Sequence, residues 1–323
     1  MHQVSGRALL GFSLAFTTAV LWGILPIVLK VLLDFLTAST LTGIRFLVAA
    51  LMVGAWLVWQ GQWPRLSLLS RQGILLLLVA IAGLLANYLM YMSGLNYLTA
   101  ETGQLLIQLA PFLMMLGGVW IFKERLQFWQ KVGAAILLAG LLLFFNERLL
   151  DLLTSISEES IGLLLIIGAA VTWAAYALAQ KQLLVHYSSK QIMVLIYCAG
   201  ALVFMPLSDL QPLLQLTGWH WAFLLFCCLN TVVAYGAFAE AMHHWEASKV
   251  SAVLAITPLV TIVVAKGLHA LQPDWLSPEP LNAWAIIGAC LVVVGSMTTA
   301  LSPLWGQYHA RYSARQQQKR RSL

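Results

Sequence analysis

The chain has 323 residues, of which 61% are hydrophobic and only 9% charged, with a formal net charge of +6. Soluble domains carry roughly 25% charged residues, so the composition excludes a soluble enzyme or nucleic-acid module and indicates a polytopic membrane protein. The basic residues are scattered over short loops and a C-terminal run, which membrane topology explains and nucleic-acid binding does not.

Apolar runs between breakers predict ten membrane-spanning helices, near 8–32, 38–59, 73–95, 100–122, 129–146, 160–182, 190–208, 218–241, 248–271 and 282–302. Helices are required because a backbone exposed to lipid must satisfy its own hydrogen bonds. The first run is too long for the apolar core of a signal peptide and reads as the first span. In the fourth, Glu101, Gln104, Gln108 and Pro111 fall at steps of three, four and three, which places them on one helical face. Such a polar stripe should face other helices or a water-filled cavity.

The polar stretch 147–159 divides the chain, giving a first five-helix unit at 5–147, a second at 158–303 and a basic tail at 304–323. The tail, with Arg311, Arg315, Lys319, Arg320 and Arg321, reads as a solvated, disordered end near anionic headgroups. Cys198, Cys227, Cys228 and Cys290 lie inside apolar runs without metal-ligand spacing, and adjacent His243 and His244 do not make a binding face. No metal site or cofactor is expected.

If the loops alternate sides, one side holds fourteen lysines and arginines and the other only Lys30 and Arg148. The bias places both termini in the cytoplasm of a multi-pass protein of the cell (inner or plasma) membrane.

The halves repeat. Trp22 and Lys30 plus 151 give Trp173 and Lys181; Tyr88, Ala100 and Pro111 plus 147 give Tyr235, Ala247 and Pro258; Trp129, Gly133 and Gly140 plus 155 give Trp284, Gly288 and Gly295. Five is odd, so consecutive copies must insert with opposite orientation. The fold class is therefore an all-α integral membrane protein built from two inverted five-helix repeats, an arrangement that secondary transporters use to hold substrate between the repeats.

LWG at Leu21 to Gly23, TGIRFLVAAL at Thr42 to Leu51, FKERL at Phe122 to Leu126 and AYGAFAEAMHHWEASKVSAVLAITPLV at Ala234 to Val260 resemble the drug/metabolite transporter superfamily, specifically its EamA-type ten-span branch. The resemblance runs from about Leu10 to Pro303. It departs in the second half, where LHALQPDWL stands in place of KERL. It implies a secondary transporter, often an exporter of amino acids, metabolites or toxic compounds, working by alternating access. It also implies that spans three, four, eight and nine, with one and six, surround a cavity, while five and ten serve as scaffold.

The residues in those spans supply candidates. Trp22, Asn87, Tyr88, Tyr91, Gln104, Gln108, Trp173, Tyr176, Asn230, Tyr235 and Thr257 offer amides, hydroxyls and aromatic faces for a small-molecule substrate, with interhelical packing as the competing role for each. Arg45 is the candidate buried cation, with an acidic substrate group or Asp34 as its partner. Pro111 and Pro258 remove backbone donors and are expected to kink their helices near the cavity. Glu240, beside His243, His244 and Lys249, is the candidate proton-coupling carboxylate if buried.

No GxxxxGK[ST] or HExxH occurs and no aspartates pair within spans, so neither ATP hydrolysis nor intramembrane catalysis is indicated. The alternatives are a carrier or flippase for lipid-linked or amphipathic cargo, and a non-transport membrane assembly protein. Partners are the bilayer and a small-molecule substrate, with the chain acting as a monomer or homodimer.

Overall fold

Among the described residues, Thr37, Ser70, Thr99, Ser157 and Ser188 each end a loop by accepting a hydrogen bond from the backbone N–H three residues on. These short hydroxyl side chains satisfy one of the free donors at a helix start. A computed structural model describes residues 7–65, 69–123, 126–146, 157–185, 187–244, 247–270 and 281–321. Glu124 and Arg125 of FKERL, most of the central polar stretch and 271–280 lie outside the described residues.

The helices are α1 (Ala8–Leu33), α2 (Ala38–Trp59), α3 (Arg71–Leu95), α4 (Ala100–Leu106), α5 (Leu109–Phe122) and α6 (Phe128–Phe144) in the first half. The second half has α7 (Glu158–Leu183), α8 (Ser189–Phe204), α9 (Gly218–His244), α10 (Ala247–Leu254), α11 (Thr257–Ala270) and α12 (Ala283–Arg321). Among the described residues, nine stretches are long and apolar enough to cross a membrane, and α6 is a shorter apolar helix. The chain thus makes ten spans, of which the fourth (α4 and α5) and the ninth (α10 and α11) are broken.

The prolines explain the breaks, which fall a turn before them. Pro111 has no N–H to give the Ile107 carbonyl, which accepts instead from Ala110 N at 2.9 Å. Pro258 likewise deprives Leu254, whose carbonyl accepts the Thr257 hydroxyl. Around both gaps the backbone tightens to shorter-range bonds, Gln108 N to Leu105 O and Ile256 N to Val253 O, each at 3.2 Å. The expected kinks are therefore interruptions, at matching points of the two repeats.

Almost every extensively packed pair joins one repeat to the other: α3 with α7, α1 with α9, α2 with α8, α6 with α12, α5 with α7 and α1 with α11. The first two are repeat equivalents of each other. Glycines set the α6–α12 distance: a Cβ on Gly140 would stand 2.6 Å from the Val292 nitrogen, and one on Gly288 would stand 2.7 Å from the Gly140 carbonyl oxygen. Only a missing side chain permits that approach.

Lys30, half-buried, sets its charge against the end of α3, its Nζ donating to the Leu95 and Leu98 carbonyls at 2.7 Å each. A cation there meets the negative end of the helix dipole. The main core gathers Leu29, Leu41, Phe46, Leu84, Met92 and Leu95 between α1, α2, α3 and α8.

The backbone of α12 corrects the expectation of a disordered tail, since the helix continues to Arg321. At 1.5 Å per residue, its 39 residues span about 58 Å, well beyond a hydrocarbon core of roughly 30 Å. After Gly306 the sequence holds neither glycine nor proline and is rich in Ala, Gln, Lys and Arg, all good helix formers. The basic side chains of the tail lie outside the described residues.

Candidate functional site

Two polar breaks in an apolar bundle must face inward, and here they face each other. Gln108, the residue at the first break, donates from Nε2 to the carbonyl of Ala255 at 3.3 Å, and Ala255 lies at the second break. Since 108 plus 147 is 255, the bond joins a residue to its own repeat equivalent, so it lies on the pseudo-two-fold axis. Tyr88 and Tyr235, also 147 apart, belong to the same hydrophobic cluster. Carrying the offset of 151 from the N-caps Thr37 and Ser188 makes Phe46 the equivalent of Tyr197. Their rings lie 5.7 Å apart.

Flanking pairs obey the same operation. Asn87 Nδ2 on α3 donates to the Ala169 carbonyl on α7 at 2.8 Å. The equivalent positions are Ala234 and Thr18, and the Thr18 hydroxyl donates to the Ala234 carbonyl at 3.3 Å. The same junction is fastened twice, with the donor on opposite helices. Asn230 Nδ2 donates to the Leu21 carbonyl at 2.8 Å. Its equivalent is Gly83, where a Cβ would stand 2.8 Å from the carbonyl oxygen of Thr172, the equivalent of Leu21. An amide fills one copy of this junction and backbone approach closes the other. Both candidate asparagines therefore fasten repeats through their amide nitrogens, while Asn230 Oδ1 is buried without a partner.

The aromatic candidates surround this axis. Trp22 meets Tyr235 edge-on at 5.1 Å, and Trp173 meets Tyr176 at 6.3 Å. The Tyr91 hydroxyl donates to Gln104 Oε1 at 3.1 Å, linking α3 to α4. The Tyr176 hydroxyl points at Met193 Sδ, 3.3 Å away. Thr257 is committed to its own helix break.

Arg45 lies deep in the cluster, 2% exposed. Its Nε donates to the Thr231 hydroxyl at 3.0 Å, and its guanidinium carbon stands 5.0 Å from the centre of the Tyr88 ring. Asp34 is not its partner: it is exposed just past the end of α1 and makes no ion pair with Arg45. Glu240 lies apart from the axis toward the end of α9, with a 59% exposed side chain, 3.0 Å from His244 Nε2. It is thus not the enclosed carboxylate that the sequence suggested. The side chains of His243 and Lys249 lie outside the described residues.

Four contributors escaped the sequence reading: Thr18, Tyr197, Thr231 and Thr261, whose hydroxyl donates to the Gly23 carbonyl at 2.7 Å. Extending the repeat offset to spans two and seven would have found Tyr197. The threonines carry no signal, because a hydroxyl returning to the carbonyl four residues back, as Thr231 does to Cys227, hides its polarity within one helix. Among the described residues no His, Cys, Asp or Glu cluster could hold a metal. The arrangement offers recognition chemistry, a fixed cation, hydroxyls and aromatic faces, on an axis between two repeats.

Known proteins agree with this architecture. The chain is 40% identical over 296 residues to an "uncharacterized transporter" of Haemophilus influenzae, covering 91% of this chain and 96% of the relative. It is 39% identical over 308 residues to the Escherichia coli K12 "uncharacterized inner membrane transporter YhbE", covering 95% of each. At 24% identity over 298 residues it matches a "probable amino-acid metabolite efflux pump" of Salmonella typhimurium, covering 87% of this chain and 92% of that one. A solved crystal structure shares the fold at a TM-score of 0.62 and 18% identity, over 91% of this chain and 98% of the other. The pattern of the EamA-like transporter family matches residues 9–146 and 160–301, one copy for each repeat. The chain is therefore a membrane transporter, not an enzyme, and belongs to the EamA-like transporter family.

Proposed function

We propose that this transporter exports a small organic solute across the cytoplasmic membrane by alternating access, with both termini in the cytoplasm. The observation that carries the mechanism is the contact between the two helix breaks, Gln108 to Ala255 at 3.3 Å on the axis relating the repeats. Broken helices meeting at such an axis supply polar groups at membrane depth, and rocking one repeat against the other exposes them to alternate sides. Export and an amino-acid-like cargo are supported by the distant relative named as an efflux pump. The inner membrane is supported by the YhbE relative and the orientation by the fourteen-to-two cation bias. Ten spans form a complete repeat pair, so one chain suffices for transport.

The test is uptake into proteoliposomes of a labelled panel of amino acids and related carboxylates, amines and amides, with and without an imposed proton gradient. Saturable uptake is expected. Protein shown to be folded that moves no solute in either condition overturns the reading in favour of lipid-linked cargo. Glu240, exposed and away from the axis, is not expected to carry protons, so Glu240→Gln should leave both gradient-driven accumulation and solute exchange unchanged.

A further inference from the structure

Arg45 is the residue of the axial cluster whose charge the repeat does not reproduce: its equivalent, 45 plus 151, is Ile196. A guanidinium brings five N–H donors and keeps its charge at any physiological pH. One donor is used here, on Thr231, and one face is covered by Tyr88. Neither η nitrogen bonds to any described residue. Nor are they among the sealed, unpartnered polar atoms, which among the described residues are His220 Nε2, Asn230 Oδ1 and Ser296 Oγ. The η nitrogens therefore keep a small accessible space beside them, although the residue as a whole is 2% exposed.

Charge decides what that space accepts. A cation at membrane depth without a counter-charge is costly, and Arg45 has no carboxylate partner among the described residues. Two other lysines of the spans, Lys30 and Lys266, do not compete for the same ligand. Lys30 is bonded to the end of α3, and Lys266 is exposed on α11. A single guanidinium fork can bind either a carboxylate or a phosphate through two bonds, but its one charge balances a carboxylate and leaves a phosphate dianion half uncompensated. Around it, Tyr88 covers one face, the Tyr197 hydroxyl donates to the carbonyl of Thr231, the residue that holds Arg45, and Tyr235, edge-on to Trp22, packs on the same cluster. These are broad, partly apolar faces.

We infer that Arg45 is the anion-binding residue of the transport site, and that the cargo is a small organic carboxylate whose apolar body rests against the Tyr88, Tyr235 and Trp22 faces. Thr231 holds the guanidinium by its Nε, leaving the η edge for bidentate capture of the carboxylate. This rests on the reading of the protein as a solute carrier and deepens it by naming the cargo class.

Binding separates this inference from transport itself. Purified full-length protein in detergent is titrated with a series of carboxylates bearing alkyl or phenyl bodies, each beside its neutral amide, followed by tryptophan fluorescence. At least one acid is expected to bind about tenfold or more tighter than its amide, as a charge-assisted bidentate pair requires. Arg45→Gln removes that preference, and Arg45→Lys keeps part of it. Should Arg45→Gln fail to fold, the wild-type protein is labelled with phenylglyoxal and Arg45 modification is read by peptide mass spectrometry. Protection by the acids and not by the amides supports the inference.

It is overturned if no acid is preferred, if Arg45→Gln retains the preference, or if Arg45 is unreactive or equally protected by acid and amide. Binding with these properties in protein that gives no liposomal uptake would leave the carboxylate site standing and overturn the transport reading alone. Uptake of neutral solutes without carboxylate preference would do the reverse.

Discussion

At the scale of single residues, the axial cluster divides into groups that fasten and groups that remain available. Asn87, Asn230, Thr18 and Thr261 spend their donors on backbone carbonyls of helices from the opposite repeat. Inside a bilayer such bonds are each worth about 1 kcal/mol, because the alternative partners are other protein groups. Gln108 differs in bridging the two breaks, whose separation must change if the repeats rock. Gln108→Leu should remove one hydrogen bond of about 1 kcal/mol and shift the balance between inward- and outward-facing states by roughly fivefold. The check is transport rate against thermal stability: rate changes while the melting temperature in detergent barely moves. A matching loss of both would make Gln108 another fastener. Residue types were legible in the sequence, since amides and tyrosines stand out in apolar runs. Which of them are committed was not, because Asn87 and Gln108 differ only in the carbonyl each one reaches.

At the scale of elements, paired breaks and paired glycine contacts do different work. Spans four and nine are interrupted because each proline leaves a carbonyl without its usual donor, and the chain repairs the loss with shorter-range bonds. The α6–α12 pair is the opposite case, unbroken and in backbone contact. Gly140→Val would drive its side chain into the Val292 nitrogen and the Gly288 carbonyl, and should cost about 1–3 kcal/mol by overpacking. Gly236→Ala on α9 meets no atom within 4 Å and should be neutral or stabilise by up to about 1 kcal/mol through helix propensity. Thermal unfolding of both variants in one detergent reads the contrast. Equal effects would mean that the α6–α12 contact does not limit stability. The sequence located both sets of elements from proline and glycine positions. It did not reveal that the breaks precede the prolines by a turn, since that depends on which carbonyl finds a substitute donor.

At the scale of the whole molecule, the repeats are interleaved. Because α1 packs on α9, α3 on α7, α2 on α8 and α6 on α12, neither five-helix unit encloses its own core. Chains cut within 147–156 should therefore assemble when the two fragments are co-expressed, and each fragment alone should be degraded. Co-purification of the pieces measures this, and a stable isolated half would contradict it. The sequence by itself determined the ten spans, the two matched units and, through the odd span count, their inversion. Hydrophobic length and periodicity are local properties that lipid enforces helix by helix. Only the tertiary structure decided that Gln108 meets Ala255, that Phe46 meets Tyr197, and that Arg45 reaches Thr231 across 186 residues of chain with its η nitrogens unspent. Those facts depend on helix rotation and on which face each span turns to its partner. Lipid is as apolar as a leucine side chain, so hydrophobicity cannot choose that face, and interhelical packing with polar contacts must.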